Sequence, residues 1–154
     1  MEKLDYEDLL KMNLKTTTGF SLVELIFVIV IVGILVAISV PTYQKYVRRS
    51  LAAEGKALVG AVVAAERIYY SEYQTYNPIP AGNNCDPNGY CGVDSRANKY
   101  FKTYGFDVTA AAAFTVQTDA DPSTDAAGLS VKGSGDSSNA VVVTVFDNGV
   151  LTKY

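Results

Sequence analysis

Apolar residues follow two different patterns along the first half of the chain. Residues 20–40 are almost wholly apolar, and Glu24 is their only charged residue. As a helix rising about 1.5 Å per residue, this run spans roughly 30 Å, the thickness of the hydrocarbon layer of a bilayer. Beyond it, apolar residues recur at intervals of three, four or seven, at Val47, Leu51, Leu58, Val62, Ala65 and Tyr69. The pattern predicts one long helix from about Phe20 to about Tyr73, apolar all round in its first half and amphipathic in its second.

The pattern changes again after the helix. Asn77-Pro78 predicts its end, since a residue before proline avoids the α region, and residues 77–105 are rich in Pro, Gly and Asn and predict a loop. Alternating runs at 114–116, 129–131, 141–146 and 150–154 predict strands. Asn148-Gly149 predicts a hairpin turn, and residues 133–138 predict a flexible connection. We therefore expect an α+β fold, with an antiparallel sheet of about four strands packed on the amphipathic half of the helix.

Composition narrows the classes of function. The chain has 154 residues, a formal net charge of −3 and no histidine. Without histidine it lacks the commonest general base and the commonest metal ligand. No basic stripe indicates nucleic-acid binding. We predict no catalytic residues, no metal and no cofactor, and we do not expect an enzyme.

The start of the apolar run carries a specific motif. Gly19-Phe20-Ser21-Leu22-Val23-Glu24, followed by an apolar helix with Gly33 and Pro41, closely resembles the N-terminal signature of type IV pilins and pseudopilins. The resemblance covers roughly residues 15–47. It implies the pilin fold and the following division of the chain: a leader peptide at 1–19 that is removed, a transmembrane and filament-core helix half at 20–47, an amphipathic helix half at 48–76, an αβ-loop at 77–105 and a globular antiparallel sheet at 106–154.

The resemblance also implies roles for the residues of the motif. A membrane prepilin peptidase would cut between Gly19 and Phe20, and the new N-terminus at Phe20 would be methylated. The carboxylate of Glu24 would then pair with the N-terminal amine of a neighbouring subunit. A charge at the centre of a transmembrane helix costs about 2.5–3.5 kcal/mol, and less near an end, so a partner has physical value. The alternative is a hydrated Glu24 at the membrane surface without a role in assembly.

Gly33 and Pro41 are the helix-breaking residues of the apolar half. Glycine lowers helix propensity, and proline lacks an N–H and clashes with the carbonyl of the fourth residue before it. The resemblance implies that the helix unwinds between them in a filament and stays intact or kinked in a monomer. The alternative is that Pro41 merely bends a transmembrane helix.

A pair of cysteines and a stretch of aspartates are the other candidates for a disulfide or a metal site. Cys85 and Cys91 flank a Pro-Asn-Gly turn, which predicts a small disulfide loop if the domain lies outside the cytoplasm; a redox pair or half of a metal site are the alternatives. Asp119, Asp121 and Asp125 form an acidic stretch that does not match an EF-hand loop. A solvated loop is the favoured interpretation of this stretch over a calcium site.

The flanks of the apolar run depart from the family pattern. Lys15 is the nearest cation before Gly19, and a start at Met12 instead of Met1 would leave a short basic leader. The cations that follow the run do not favour a cytoplasmic N-terminus by the positive-inside rule, so the expected orientation, with the leader in the cytoplasm, follows from the resemblance. Tyr43 and Tyr46 fit an interfacial aromatic belt.

The function implied is that of a structural subunit of a type IV pilus, used for adhesion, motility or DNA uptake. Its expected partners are further copies in a helical filament, the prepilin peptidase, the pilus assembly platform and ATPase, and the inner membrane before assembly, with the assembled pilus at the cell surface. Two alternatives stay open: a pseudopilin or minor pilin of a type II secretion or competence system, and a monomeric membrane-anchored binding domain.

Overall fold

The structure is a computed structural model and describes residues 19–83, 92–110, 113–138 and 140–152. The chain divides into two compact units between Pro41 and Thr42. Cys85 and Cys91, and therefore the predicted disulfide, lie outside the described residues, as do residues 1–18 of the predicted leader.

One long helix, α1, spans Leu22–Tyr73 and confirms the expected helix within two residues at each end. Its end is made by Gln74, which has a left-handed backbone with φ of 58° and donates its N–H to the carbonyl of Tyr70 at 2.9 Å. A left-handed residue just after a helix is a common stop signal because it turns the chain and uses a free carbonyl. The helix therefore ends at Tyr73, five residues before Pro78.

The sheet has six antiparallel strands in sequential order. They are β1 (Ile79–Asn83), β2 (Thr103–Val108), β3 (Ala113–Asp119), β4 (Leu129–Asp136), β5 (Val142–Asp147) and β6 (Val150–Thr152). The α+β class is confirmed, but the expected count of four strands is wrong. The four expected runs are β3 to β6, and the prediction missed β1 and β2. β1 and the start of β2 lie within residues 77–105, where a loop was expected.

The two strands were missed for different reasons. β1 has the sequence IPAGN and is an edge strand. Proline, which lacks an N–H, is tolerated there because one side of an edge strand has no neighbouring strand to pair with. In β2, with the sequence TYGFDV, apolar residues do occupy alternate positions from Tyr104 to Val108, so the strand pattern is present in the sequence and the prediction missed it. A Cβ added to Gly105 in β2 would lie 2.6 Å from the Cα of Ala81, so β1 lies against its backbone.

The core lies between the sheet and the second half of α1. The helix contributes Leu51, Ala52, Gly55, Leu58, Val59, Val62, Val63 and Glu66 to the buried set. The sheet and the loop before it contribute the large side chains Phe101, Tyr104, Phe106, Phe114, Val116, Leu129, Val131 and Val145. Of the predicted apolar stripe, Leu51, Leu58 and Val62 are buried. Val47 is exposed, and Ala65 and Tyr69 are half-buried.

Two glycines allow α1 to approach the sheet closely. A Cβ added to Gly55 of the helix would lie 2.7 Å from Cγ2 of Val131. A Cβ added to Gly133 of β4 would lie 2.8 Å from side-chain atoms of both Val59 and Val116. Residues 133–136 thus belong to a strand, and the predicted flexible connection is wrong for them, because Gly133 serves packing in β4.

The hairpin between β5 and β6 is as predicted. Asn148 and Gly149 form its turn with φ values of 50° and 79°, the left-handed conformations that a two-residue hairpin of this kind requires. The N–H of Asn148 also donates to the carbonyl of Gly128 at 2.7 Å, which ties the turn to the start of β4.

Candidate assembly site

The start of α1 places the motif residues in one short stretch. Ser21 precedes the helix and its carbonyl accepts the N–H of Leu25 at 3.2 Å, so Gly19 and Phe20 lie just before the helix. Glu24 lies in the first turn and is exposed. The N–H groups of a first turn have no partner within the helix, so a carboxylate there is electrostatically favourable. This gives Glu24 a local stabilising role whether or not a second chain is present.

The apolar half of α1 presents its side chains outward on every side. Every large apolar residue from Phe20 to Val40 is between 47% and 78% exposed. In the part of the chain that the structure describes, α1 is the one helix long and apolar enough to cross a membrane. Soluble monomers rarely expose contiguous apolar patches beyond a few hundred Å². A surface of this kind requires lipid or other protein around it.

Gly33 and Pro41 both lie within the continuous helix. A Cβ added to Gly33 would have no atom within 4 Å outside its own helix, so its small size is not required by packing within this chain. Ser39, two residues before Pro41, donates its hydroxyl to the carbonyl of Leu35 at 2.7 Å. Such hydroxyl bonds to the preceding turn often accompany bends in apolar helices. Unwinding of this segment in a filament stays a prediction.

Comparison with curated proteins identifies relatives. The type IV major pilin protein PilA of Myxococcus xanthus (strain DK1622) is 34% identical over 94 residues, which are 61% of this chain and 38% of the relative. The fimbrial protein EcpC of Eikenella corrodens is 50% identical over 54 residues, 35% of each chain. The type IV major fimbrial protein FimA of Dichelobacter nodosus is 52% identical over 40 residues, 26% of this chain and 25% of the relative.

The chain is therefore similar to type IV major pilin and fimbrial proteins over part of its length. It spans between a quarter and two fifths of the length of these curated relatives. No protein-family model and no solved structure matches it.

The described residues also contain a largely buried ion pair that the sequence did not reveal. Arg48 donates from Nε to Oδ2 of Asp147 at 3.0 Å and from a terminal nitrogen to the other oxygen of the same carboxylate. Its guanidinium also donates to the carbonyls of Asp125 and Ala127, each at 3.1 Å. Both charged side chains are about three-quarters buried. Arg48 thus ties α1 to the end of β5 and to the turn before β4.

A sequence signal for this site existed. Arg48 lies three, four and seven residues before Leu51, Ala52 and Gly55, so it belongs to the helix face that meets the sheet. An arginine at the edge of a buried stripe needs a partner, since an unpaired buried charge is costly. The partner Asp147 is 99 residues away along the chain, and the sequence pattern does not indicate which acid it is.

Carboxylates of α1 also bind backbone groups of the loops that follow. Oε1 of Glu54 accepts the N–H groups of Tyr100 and Phe101 at 2.7 and 2.9 Å. Oε2 of Glu66 accepts the N–H of Asn77 at 3.0 Å. Burial raises the pKa of the Glu66 carboxyl, and the bond from Asn77 partly offsets this rise. These carboxylates hold the loops against the helix.

Tyr104 is a further buried residue of the core. Its hydroxyl donates to the carbonyl of Val93 at 3.0 Å, and burial raises its pKa to about 12. It is therefore a neutral hydrogen-bond donor at physiological pH. In the same core, Tyr76, Phe106 and Phe114 pack against one another, with ring centroids 5.1–5.6 Å apart.

Two of the three aspartates of the acidic stretch bind different side-chain and backbone partners. Asp119 accepts the side-chain amide of Gln117, and Asp121 accepts the N–H and hydroxyl of Ser123. The bonds from Ser123 and the nearby Lys102 lower the pKa of Asp121. Among the described residues, no group of three or more acidic, histidine or cysteine side chains is placed to hold a metal ion.

Proposed function

We propose that this chain is a structural subunit of a type IV pilus that polymerises through its apolar helix half into a helical surface filament. The observation that carries the proposal is the exposure of every large apolar side chain between Phe20 and Val40. A helix that is apolar all round is stable only where each side has an apolar neighbour. Lipid supplies those neighbours before assembly, and the helices of other subunits supply them afterwards.

Processing prepares the chain for assembly. Prepilin peptidase cuts between Gly19 and Phe20, and the new amine of Phe20 is methylated. Support comes from the position of the cut, because Gly19 and Phe20 are exposed and precede the first helical residue. A peptidase needs extended backbone at the bond it cuts, and α1 begins only at Leu22.

Charge pairing then sets the register of the filament. The amine of Phe20 in one copy pairs with the carboxylate of Glu24 in its neighbour. Opposite charges attract far more strongly among apolar groups than in water. A subunit docked out of step leaves an unpaired carboxylate in an apolar surround, which is costly. The pair therefore favours one register over its alternatives.

The remaining partners act on the chain before and during its assembly into a filament. The precursor spans the inner membrane once, the assembly platform and its ATPase extract it, and the product is a fibre at the cell surface. The chain itself performs no catalysis. Relatives named as major pilin and major fimbrial proteins favour a major subunit over a pseudopilin of a secretion system.

The test combines intact mass with one charge substitution. In cells that carry the pilus machinery, sheared fibres should contain a chain that starts at methylated Phe20. Glu24→Gln should still be inserted and cleaved, but its fibre yield should fall at least about tenfold, because breaking a buried ion pair costs about 3–5 kcal/mol. Glu72→Gln, an exposed carboxylate on the same helix, is the matched control and should assemble normally.

Three results would overturn the proposal. A mature chain that retains residues before Phe20 would remove the amine on which pairing depends. Fibres of normal yield from Glu24→Gln would show that the carboxylate is not needed. A chain that stays monomeric and uncut in the membrane would indicate an anchored binding domain instead.

A further inference from the structure

The two turns of α1 that follow Pro41 carry a cluster of exposed cations and tyrosines. Its members are Tyr43, Lys45, Tyr46 and Arg49, which we call the collar. All four side chains are exposed, and the two tyrosines are 70% and 66% exposed. Lys45 and Arg49 are four residues apart, so they lie on one face of the helix.

The charge of the collar is not balanced by this chain's described residues. The sequence contains no acidic residue between Glu24 and Glu54. Arg48 is neutralised by Asp147, but within the described residues neither Lys45 nor Arg49 has an ion pair or hydrogen bond. Like charges four residues apart on a helix repel slightly, so an anionic partner would be favourable at this face.

The collar lies at the right distance along the helix for a membrane interface. It begins three residues after the apolar run ends at Val40. From Tyr43 to Arg49 the helix rises by about 9 Å. The headgroup layer on each side of a bilayer is about 5–8 Å thick. If the apolar half occupies the hydrocarbon, Tyr43 to Tyr46 lie about 5–9 Å beyond it, at the headgroups, where tyrosine rings are also favoured. Arg49 lies about 13 Å beyond it, and its long side chain reaches back towards the phosphates.

We propose that the collar binds anionic phospholipid headgroups while the subunit is anchored in the membrane before assembly. Lys45 and Arg49 contact the lipid phosphates, and the tyrosine rings lie beside them. The proposal rests on the proposed function, since it requires the apolar half to span a bilayer. It adds a lipid partner to the membrane-anchored state. Removal of the subunit into a filament then has to break these headgroup contacts.

The chain offers a clean spectroscopic test because it contains no tryptophan. Gln44→Trp places a single reporter at an exposed position beside Lys45. The full chain with this substitution is reconstituted into bilayers that contain either brominated phosphatidylglycerol or brominated phosphatidylcholine at equal bromine content. Quenching of the tryptophan by each lipid measures how often that lipid is adjacent.

We expect the anionic lipid to quench more strongly, with a relative affinity of roughly fivefold for each cation at low salt. Lys45→Gln with Arg49→Gln should bring the two lipids to equal quenching, as should 1 M salt through screening. Lys56→Gln, seven residues further along α1, is the matched control and should keep the preference.

The outcomes separate the two proposals. If neither brominated lipid quenches the tryptophan, the helix does not hold residue 44 at a bilayer and the membrane-anchored stage of the proposed function fails. If both lipids quench equally in the otherwise unchanged chain, the chain is anchored but the headgroup proposal is wrong. Equal quenching together with a fibre defect in the double variant would assign the two cations to a contact between copies.

Discussion

The two halves of α1 differ in where they find apolar neighbours. From Leu51 to Glu66, one stripe of the helix is buried in the core with the sheet. From Phe20 to Val40, every large apolar side chain is exposed. The packed half is stabilised within its own chain, whereas the apolar half requires lipid or other subunits. One unbroken helix therefore serves two different purposes, and substitutions in each half should have different consequences.

Glycines give the largest expected contrast between the halves. Gly55→Leu places a side chain against Val131 and Phe101, and should lower the free energy of unfolding by about 3 kcal/mol or prevent folding. Gly33→Leu adds a side chain in open space and should leave the folded sheet domain unaffected. Thermal unfolding in detergent, followed by the near-ultraviolet circular dichroism of the tyrosines, measures both.

A control within the packed half separates packing from helix propensity. Gly60 is exposed on the same helix, and a Cβ there would meet no atom within 4 Å. Gly60→Leu should therefore be neutral or stabilising by up to about 1 kcal/mol. Equal melting temperatures for the Gly55 and Gly60 variants would contradict the close approach of α1 to the sheet.

Adjacent arginines give the second contrast. Arg48→Gln removes the bonds to Asp147 and to two carbonyls, and leaves a partly buried carboxylate, so it should cost about 2 kcal/mol of stability. Arg49→Gln removes an exposed charge and should change stability by less than about 0.5 kcal/mol. Denaturant unfolding of the two variants measures the difference, and similar losses would show that Arg48 does not hold the β5 end.

The smallest expected effect is a pH dependence at Glu66. Burial raises the pKa of this carboxyl above its ordinary value of 4.5, so the folded chain retains a proton where the unfolded chain has lost it. The resulting stabilisation is complete below the unfolded-state pKa and is lost as pH rises through the folded-state pKa. The stability of the unchanged chain relative to Glu66→Gln should therefore fall as pH rises from below 4.5 through the folded-state pKa.

Unfolding curves of both chains across this range measure that difference. Asp94 and Asp121 have lowered pKa values and change stability in the opposite direction, but they are present in both chains and cancel. A difference that stays constant or grows with pH would contradict the burial of Glu66.

The strands show how far periodicity could predict the fold. β3 to β6 have alternating apolar residues or a hairpin turn, and the sequence located all four. β1 contains Pro80 and Gly82 and shows no strand pattern, whereas β2 has apolar residues at alternate positions from Tyr104 to Val108 and was nevertheless missed. Because residues 133–138 are rich in glycine and serine, the sequence predicts a flexible connection that includes Gly133. It lies in β4 because its missing side chain makes room for Val59, a contact with a residue 74 positions earlier.

The sequence by itself determined the helix, its apolar and amphipathic halves, and the motif from Gly19 to Glu24, because these depend on neighbours within a few positions. Tertiary structure alone decided that Arg48 is paired whereas Arg49 has no partner among the described residues, and that Gly55 and Gly133 bring the helix to the sheet. The physical reason is that helical periodicity orients a side chain but does not specify what lies opposite it. That depends on residues such as Asp147 and Val131, which reach the site only when the chain has folded.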